Sequence, residues 1–168
     1  MKSELFSQLE IFNARIGNEV KYKKEYIIEL EENISHLDDT DTYILNVTNR
    51  LYKIITELFE HGDNIIFCVN TYKDVAPKEY FFRPVKLRRY LKQNKGINMV
   101  STYRNNELIE YYFTRCKYAD IKIKKLILEI TEKDLGNYID GLDSVFIINM
   151  NRDIAIILYD DRYIFIEK

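Results

Sequence analysis

Asn151, Arg152 and Asp153 lead directly into an apolar run, Ile154–Leu158, and Asp160, Asp161 and Arg162 follow it after one tyrosine. Neighbouring carboxylates beside an arginine suit general acid–base chemistry, with one group giving a proton and another taking it. In extended chain, however, successive side chains point to opposite faces, so Asp160 and Asp161 would not share one substrate. The same residues also suit the turns of a small sheet, since polar side chains gather where apolar strands reverse. The turn reading is preferred, with a salt bridge from Arg162 or Arg152 to one of the two aspartates. A site built from Asp160, Asp161, Arg162 and distant residues is the enzymatic alternative.

Other reactive groups are sparse. Cys68 lies in IIFCVN and Cys116 in YYFTRCKY. Cysteines in such apolar surroundings are most often buried free thiols. Arg115 and Lys117 would favour a thiolate at Cys116 if it were exposed. His36, Asp38, Asp39 and Asp41, in HLDDTD, offer oxygen ligands for a hard cation but lack the glycine that a calcium loop uses at its sharp turn. The two histidines and two cysteines show no zinc-like spacing. There is no GxSxG, no GxxxxGK[ST] and no GxGxxG, and five glycines leave little room for a phosphate loop. The residues call for no metal, no cofactor and no catalytic group, and favour a binding protein over an enzyme.

Charge is the stronger signal. The formal net charge is −2, yet residues 25–49 hold Glu25, Glu29, Glu31, Glu32, Asp38, Asp39 and Asp41 with no Lys or Arg. Residues 80–106 hold Arg83, Lys86, Arg88, Arg89, Lys92, Lys95 and Arg104 with no Asp or Glu. Such segregation suits a charged partner, although two solvated stretches facing each other would look the same. The basic stretch also carries Tyr80, Phe81, Phe82, Tyr90 and Tyr103, and cations between stacking rings suit single-stranded nucleic acid. A pI near 5.8 and the lack of a recognised motif argue against a dedicated nucleic-acid binder.

These residues must be positioned by a chain of 168 residues, read as one domain. Residues 3–14 and 43–59 have helical spacing, with Thr40, Asp41 and Thr42 as caps and Gly62 as a left-handed stop for the second. Residues 24–34 lean to strand. NIIFCVNTY is a strand covered on both faces, because its apolar run is continuous. Residues 83–96 read as a long helix beginning near Pro84, and 120–135 as another. Residues 107–116, 144–150, 153–160 and 163–168 read as strands with tight connections. The expectation is α+β: a single domain, 1–168, with a mostly antiparallel sheet packed against three to four helices. No signal peptide or membrane helix is evident, which points to the cytoplasm.

Four pieces of the chain, LYKIITELFEHGDNIIFCVN, KLRRYLK, IKIKKLILEITEKDLG and VFIINMNRDIAIILYDDR, resemble in order and spacing a bacterial family of unknown function, DUF3885, over roughly residues 43–162. Tyr163 stands where the family pattern has glycine. The resemblance implies an α+β fold in a Gram-positive bacterium and no established activity.

The expected function is binding of another protein, in its sharpest form as an immunity protein or antitoxin seated on a toxin. The surfaces for it are Asp38, Asp39 and Asp41; Arg83, Lys86, Arg88, Arg89 and Lys92; and Asp160, Asp161 and Arg162. The alternative is a nucleic-acid-associated regulator using the basic segment 83–95.

Overall fold

The computed structural model describes residues 27–29, 40–73, 85–104, 107–133, 144–152, 154–158 and 163–167. Its strands are β1 (Ile27–Glu29), β2 (Asn64–Lys73), β3 (Asn98–Arg104), β4 (Glu107–Lys117), β5 (Ser144–Asn149), β6 (Ile154–Leu158) and β7 (Tyr163–Glu167). They form one sheet in the order β1-β7-β6-β5-β2-β4-β3, and every pairing between them is antiparallel. The helices are α1 (Thr40–Leu58), α2 (Val85–Arg88) and α3 (Ile123–Lys133), with a 3₁₀ turn at Tyr118–Asp120.

The fold is therefore α+β, but the expected three to four helices are not borne out among the described residues. Only α1 and α3 exceed one turn. The helix expected over 3–14 lies outside the described residues. Of the strand expected over 24–34, Ile27–Glu29 is described and pairs with β7.

α1 forms because Tyr43, Val47, Leu51 and Ile55 recur every four residues and bury one stripe. Leu45, expected in that stripe, is 59% exposed, since two positions along a helix turn a side chain to the far face. The cap candidates Thr40, Asp41 and Thr42 are already helical, and Asp41 in the first turn complements the helix dipole. The last turn closes with the Phe59 N–H donating to the Ile55 carbonyl. Gly62 lies beyond it in a turn and does not take a left-handed backbone, so it is not the helix stop.

The long helix expected over 83–96 is corrected to α2 and a turn. Chain 90–92 instead runs beside Ile121–Lys122. The Lys92 N–H donates to the Asp120 carbonyl and the Lys122 N–H to the Tyr90 carbonyl, each at 2.7 Å, around an antiparallel Leu91–Ile121 bridge. These two bonds satisfy backbone groups that a continued helix would have paired locally, and they seat Tyr90 and Leu91 in the core.

β2 is covered on both faces. Ile65, Phe67 and Val69 join α1 and α3 in one core that also takes Leu87, Tyr90, Leu126 and Ile127. Ile66 and Cys68 point the other way, into a cluster with Tyr111, Phe113, Phe146 and Ile157. β3 has no counterpart in the sequence reading. It is an edge strand whose Met99 and Tyr103 are exposed, so it lacks the apolar alternation that reveals a strand.

Candidate functional site

The Leu91–Ile121 bridge brings two basic segments together. Arg88, Arg89 and Lys92 flank one side, and Lys122, Lys124 and Lys125 the other; all six are exposed. The Lys122 Nζ donates to the Arg89 carbonyl at 3.3 Å, which ties the segments at their surface as well as through the backbone. Lys124 sits 5.0 Å over the Tyr52 ring of α1.

Acidic groups answer only part of this charge. Glu129, 9% exposed on α3, accepts from Arg89 at 2.9 Å and from the Tyr90 hydroxyl, and lies 3.8 Å from Lys125. Burial, followed by this bond to Glu129, pushes the Tyr90 hydroxyl well above the usual tyrosine range. Asp120 pairs with Lys95 at 3.3 Å and accepts the Lys117 N–H. The side chains of Arg88 and Lys92 make no ion pair with a described residue. Exposed ion pairs contribute only about 0–1 kcal/mol, so the outer cations of this face do little to hold the fold.

Residues at the turn between β5 and β6 form a separate knot. The Asp63 carboxylate accepts the Glu60 N–H at 2.8 Å and Asn149 Nδ2 at 2.6 Å. Arg152 pairs with Glu60 and reaches within 3.7 Å of Asp63. Asn149 Oδ1 accepts the N–H groups of Asn151 and Arg152, and Asn151 Oδ1 accepts the Asn64 N–H. The Glu60 N–H, with help from Asn149, Arg152 and Lys117 and against burial, holds the Asp63 carboxyl below the ordinary aspartate range. Asn151 and Arg152 are thus turn residues, as expected. The partners found for Arg152 are Glu60 and Asp63.

Asp38, Asp39, Arg83, Asp160, Asp161 and Arg162 lie outside the described residues, as does the side chain of Lys86. Asp41 is exposed in the first turn of α1. Both thiols are buried. Burial pushes the Cys68 thiol far up; burial and then the Asp120 charge push Cys116 up to about 11, and Lys95 only partly opposes them. Neither is the activated thiolate that Arg115 and Lys117 suggested for Cys116. His61 stacks on Tyr118, 6.4 Å between ring centres.

Sequence reasoning found Arg88, Arg89 and Lys92 but missed Lys122, Lys124, Lys125 and Glu129. The signal for the lysines was present as KIKK, five cations within residues 115–125 against one acid. Local spacing could suggest only the neighbours Lys125 for Glu129 and Glu60 for Asp63; their partners Tyr90 and Asn149 lie far off in sequence.

The profile of a family described as a domain of unknown function, DUF3885, matches residues 10–165, a broader match than the four pieces recognised in the sequence. An uncharacterized protein of Bacillus subtilis (strain 168), YnaE, is 30% identical over 154 residues, covering 79% of this chain and 72% of the relative. No solved structure matches the chain. Among the described residues, no helix is long and apolar enough to cross a membrane.

Proposed function

The chain belongs to the DUF3885 family, and from that premise we propose that it works by binding a protein partner through the basic face over the Leu91–Ile121 bridge. The observation behind this reading is the gathering of six exposed cations from two distant segments, with one buried glutamate between them. Like charges held together at the surface repel one another; an acidic partner relieves that repulsion and is steered toward it. The finer form of the proposal is a cytoplasmic immunity protein or antitoxin that neutralises a cognate toxin.

The test is capture from the bacterium that encodes the chain, then reassembly from two purified components. A double reversal, Lys92→Glu with Lys122→Glu, is compared with the unaltered protein. The expected result is a stoichiometric complex whose association slows with salt and in the reversed variant. A folded chain that retains no protein partner sinks the reading.

The same cations favour nucleic acid as a second reading, since phosphate contacts also come from clustered Lys and Arg. It predicts a gel shift at low salt that disappears steeply as salt rises. The acidic pI of the whole chain weighs toward the protein partner.

A further inference from the structure

A cavity of about 490 Å³ lies where β2 begins and β4 ends. Lys95, Arg115 and Lys117 bring three cations to its lining and Met150 an exposed apolar side chain, while Ile65 and Cys116, also in the lining, are buried. Residues from both sheet faces line it. Cys116 belongs to the helix-side core with Ile65, and Arg115, next in the strand, alternates to the opposite face.

We propose that this cavity binds a phosphate monoester with an apolar or aromatic body, of the nucleoside monophosphate class. Lys95, Arg115 and Lys117 take the phosphate, while the exposed Met150 side chain takes the body. The volume falls within the range of small-molecule sites. Lys95 is shared with Asp120, so Arg115 and Lys117 carry the uncompensated positive charge, which suits the near-double charge of a phosphate monoester. The guanidinium of Arg115 is free to grip two phosphate oxygens, since it pairs with no described residue.

The surroundings keep the charge positive and the walls in place. No carboxylate is among the described lining residues. The nearby acids are already engaged: Asp120 with Lys95 and the Lys117 N–H, and Asp63 with Glu60 N–H, Asn149 and Arg152. Lys117 Nζ is anchored on the Gly62 carbonyl at 2.9 Å, and the Met150 N–H on the Asn64 carbonyl at 2.9 Å. The Cys116 thiol stays protonated near neutrality and adds no negative charge. This proposal stands apart from the basic face over the Leu91–Ile121 bridge and holds whether or not that face binds a protein.

The test is a methyl NMR titration of the whole chain carrying ¹³C-methyl methionine, with Met150 assigned by Met150→Leu. The probes are adenosine monophosphate, inorganic phosphate and adenosine. Adenosine monophosphate is expected to move the Met150 methyl more than that of Met99, which is exposed on β3 and is not among the lining residues. Inorganic phosphate should act more weakly and adenosine not at all. Arg115→Gln should weaken the nucleotide about tenfold or more, the scale of one lost charge-assisted bond; Lys95→Gln gives a second variant should the first misfold. An unmoved Met150 up to roughly 10 mM of both phosphate probes, a range reaching past weak millimolar binding, overturns the proposal. So does an equal response to adenosine, equal affinity for the two phosphates, or binding unchanged in both variants.

Discussion

Asn149 Nδ2 donates to Asp63 Oδ2 at 2.6 Å, joining the end of β5 to the loop before β2 across 86 positions of sequence. Both side chains are buried, at 0% and 7% exposure. The other end of the same amide accepts two N–H groups of the β5–β6 turn. One side chain therefore fixes a turn and docks it on a loop.

Asn149→Ala should cost about 2 kcal/mol in urea denaturation, the scale of a lost bond to a charged group plus unpaired turn donors. The cost should depend on pH. Asn149 favours the ionised form of Asp63, whose folded value is depressed, so its contribution is present above the ordinary aspartate value of 3.8 and fades as pH falls through the lower folded value. The gap between variant and parent should shrink below that pH. A gap of constant size would show that Asn149 acts through the turn alone.

Tyr90→Phe should destabilise by about 1–3 kcal/mol, because it removes a donor to the buried Glu129. Arg89→Gln, at a partly exposed pair, should cost less, about 0–1 kcal/mol. Thermal melts of the two variants give the order; a larger loss for Arg89→Gln would show that the ion pair, not the hydroxyl, holds Glu129.

Alkaline pH should unfold the protein. Burial raises the hydroxyls of Tyr90, Tyr112 and Tyr118, the last to about 12, above the ordinary value of 10. The unfolded chain then loses protons first, so the stability these groups contribute is whole below pH 10 and is lost as pH rises through the folded values. Absorbance at the phenolate band should show a late class of tyrosines titrating together with loss of circular dichroism. Gradual titration of all fourteen tyrosines without unfolding would contradict this.

Cys68 and Cys116 should resist a neutral alkylating reagent at pH 8 in the folded protein and react in urea, with Cys116 the faster in the native state. Cys68, at 0% exposure within β2, should report global unfolding only. Mass spectrometry of quenched samples separates the two sites.

What could be read from the sequence followed local periodicity. The stripe from Val47 to Ile55 and the apolar runs of β2, β5 and β6 carry their own signatures. KLRRYLK failed because its outcome depends on Ile121, some thirty residues away, whose bridge to Leu91 replaces two turns of helix. β3 failed because an edge strand with exposed Met99 and Tyr103 pairs through its backbone to β4 and needs no apolar face. The site divides in the same way. Arg88, Arg89 and Lys92 showed as a charge run, but their union with Lys122, Lys124 and Lys125 is a property of tertiary pairing.

The place of β7 between β1 and β6 has a consequence for synthesis on the ribosome. β2, β3 and β4 can pair with one another as soon as Lys117 emerges, although β2 still awaits its other neighbour, β5. β1 is made first among the described strands, yet its neighbour in the sheet is the last of them, Tyr163–Glu167. The nascent chain must therefore carry β1 without its sheet neighbour until Tyr163–Glu167 is made, and that strand finds its place only after the other described strands can pair.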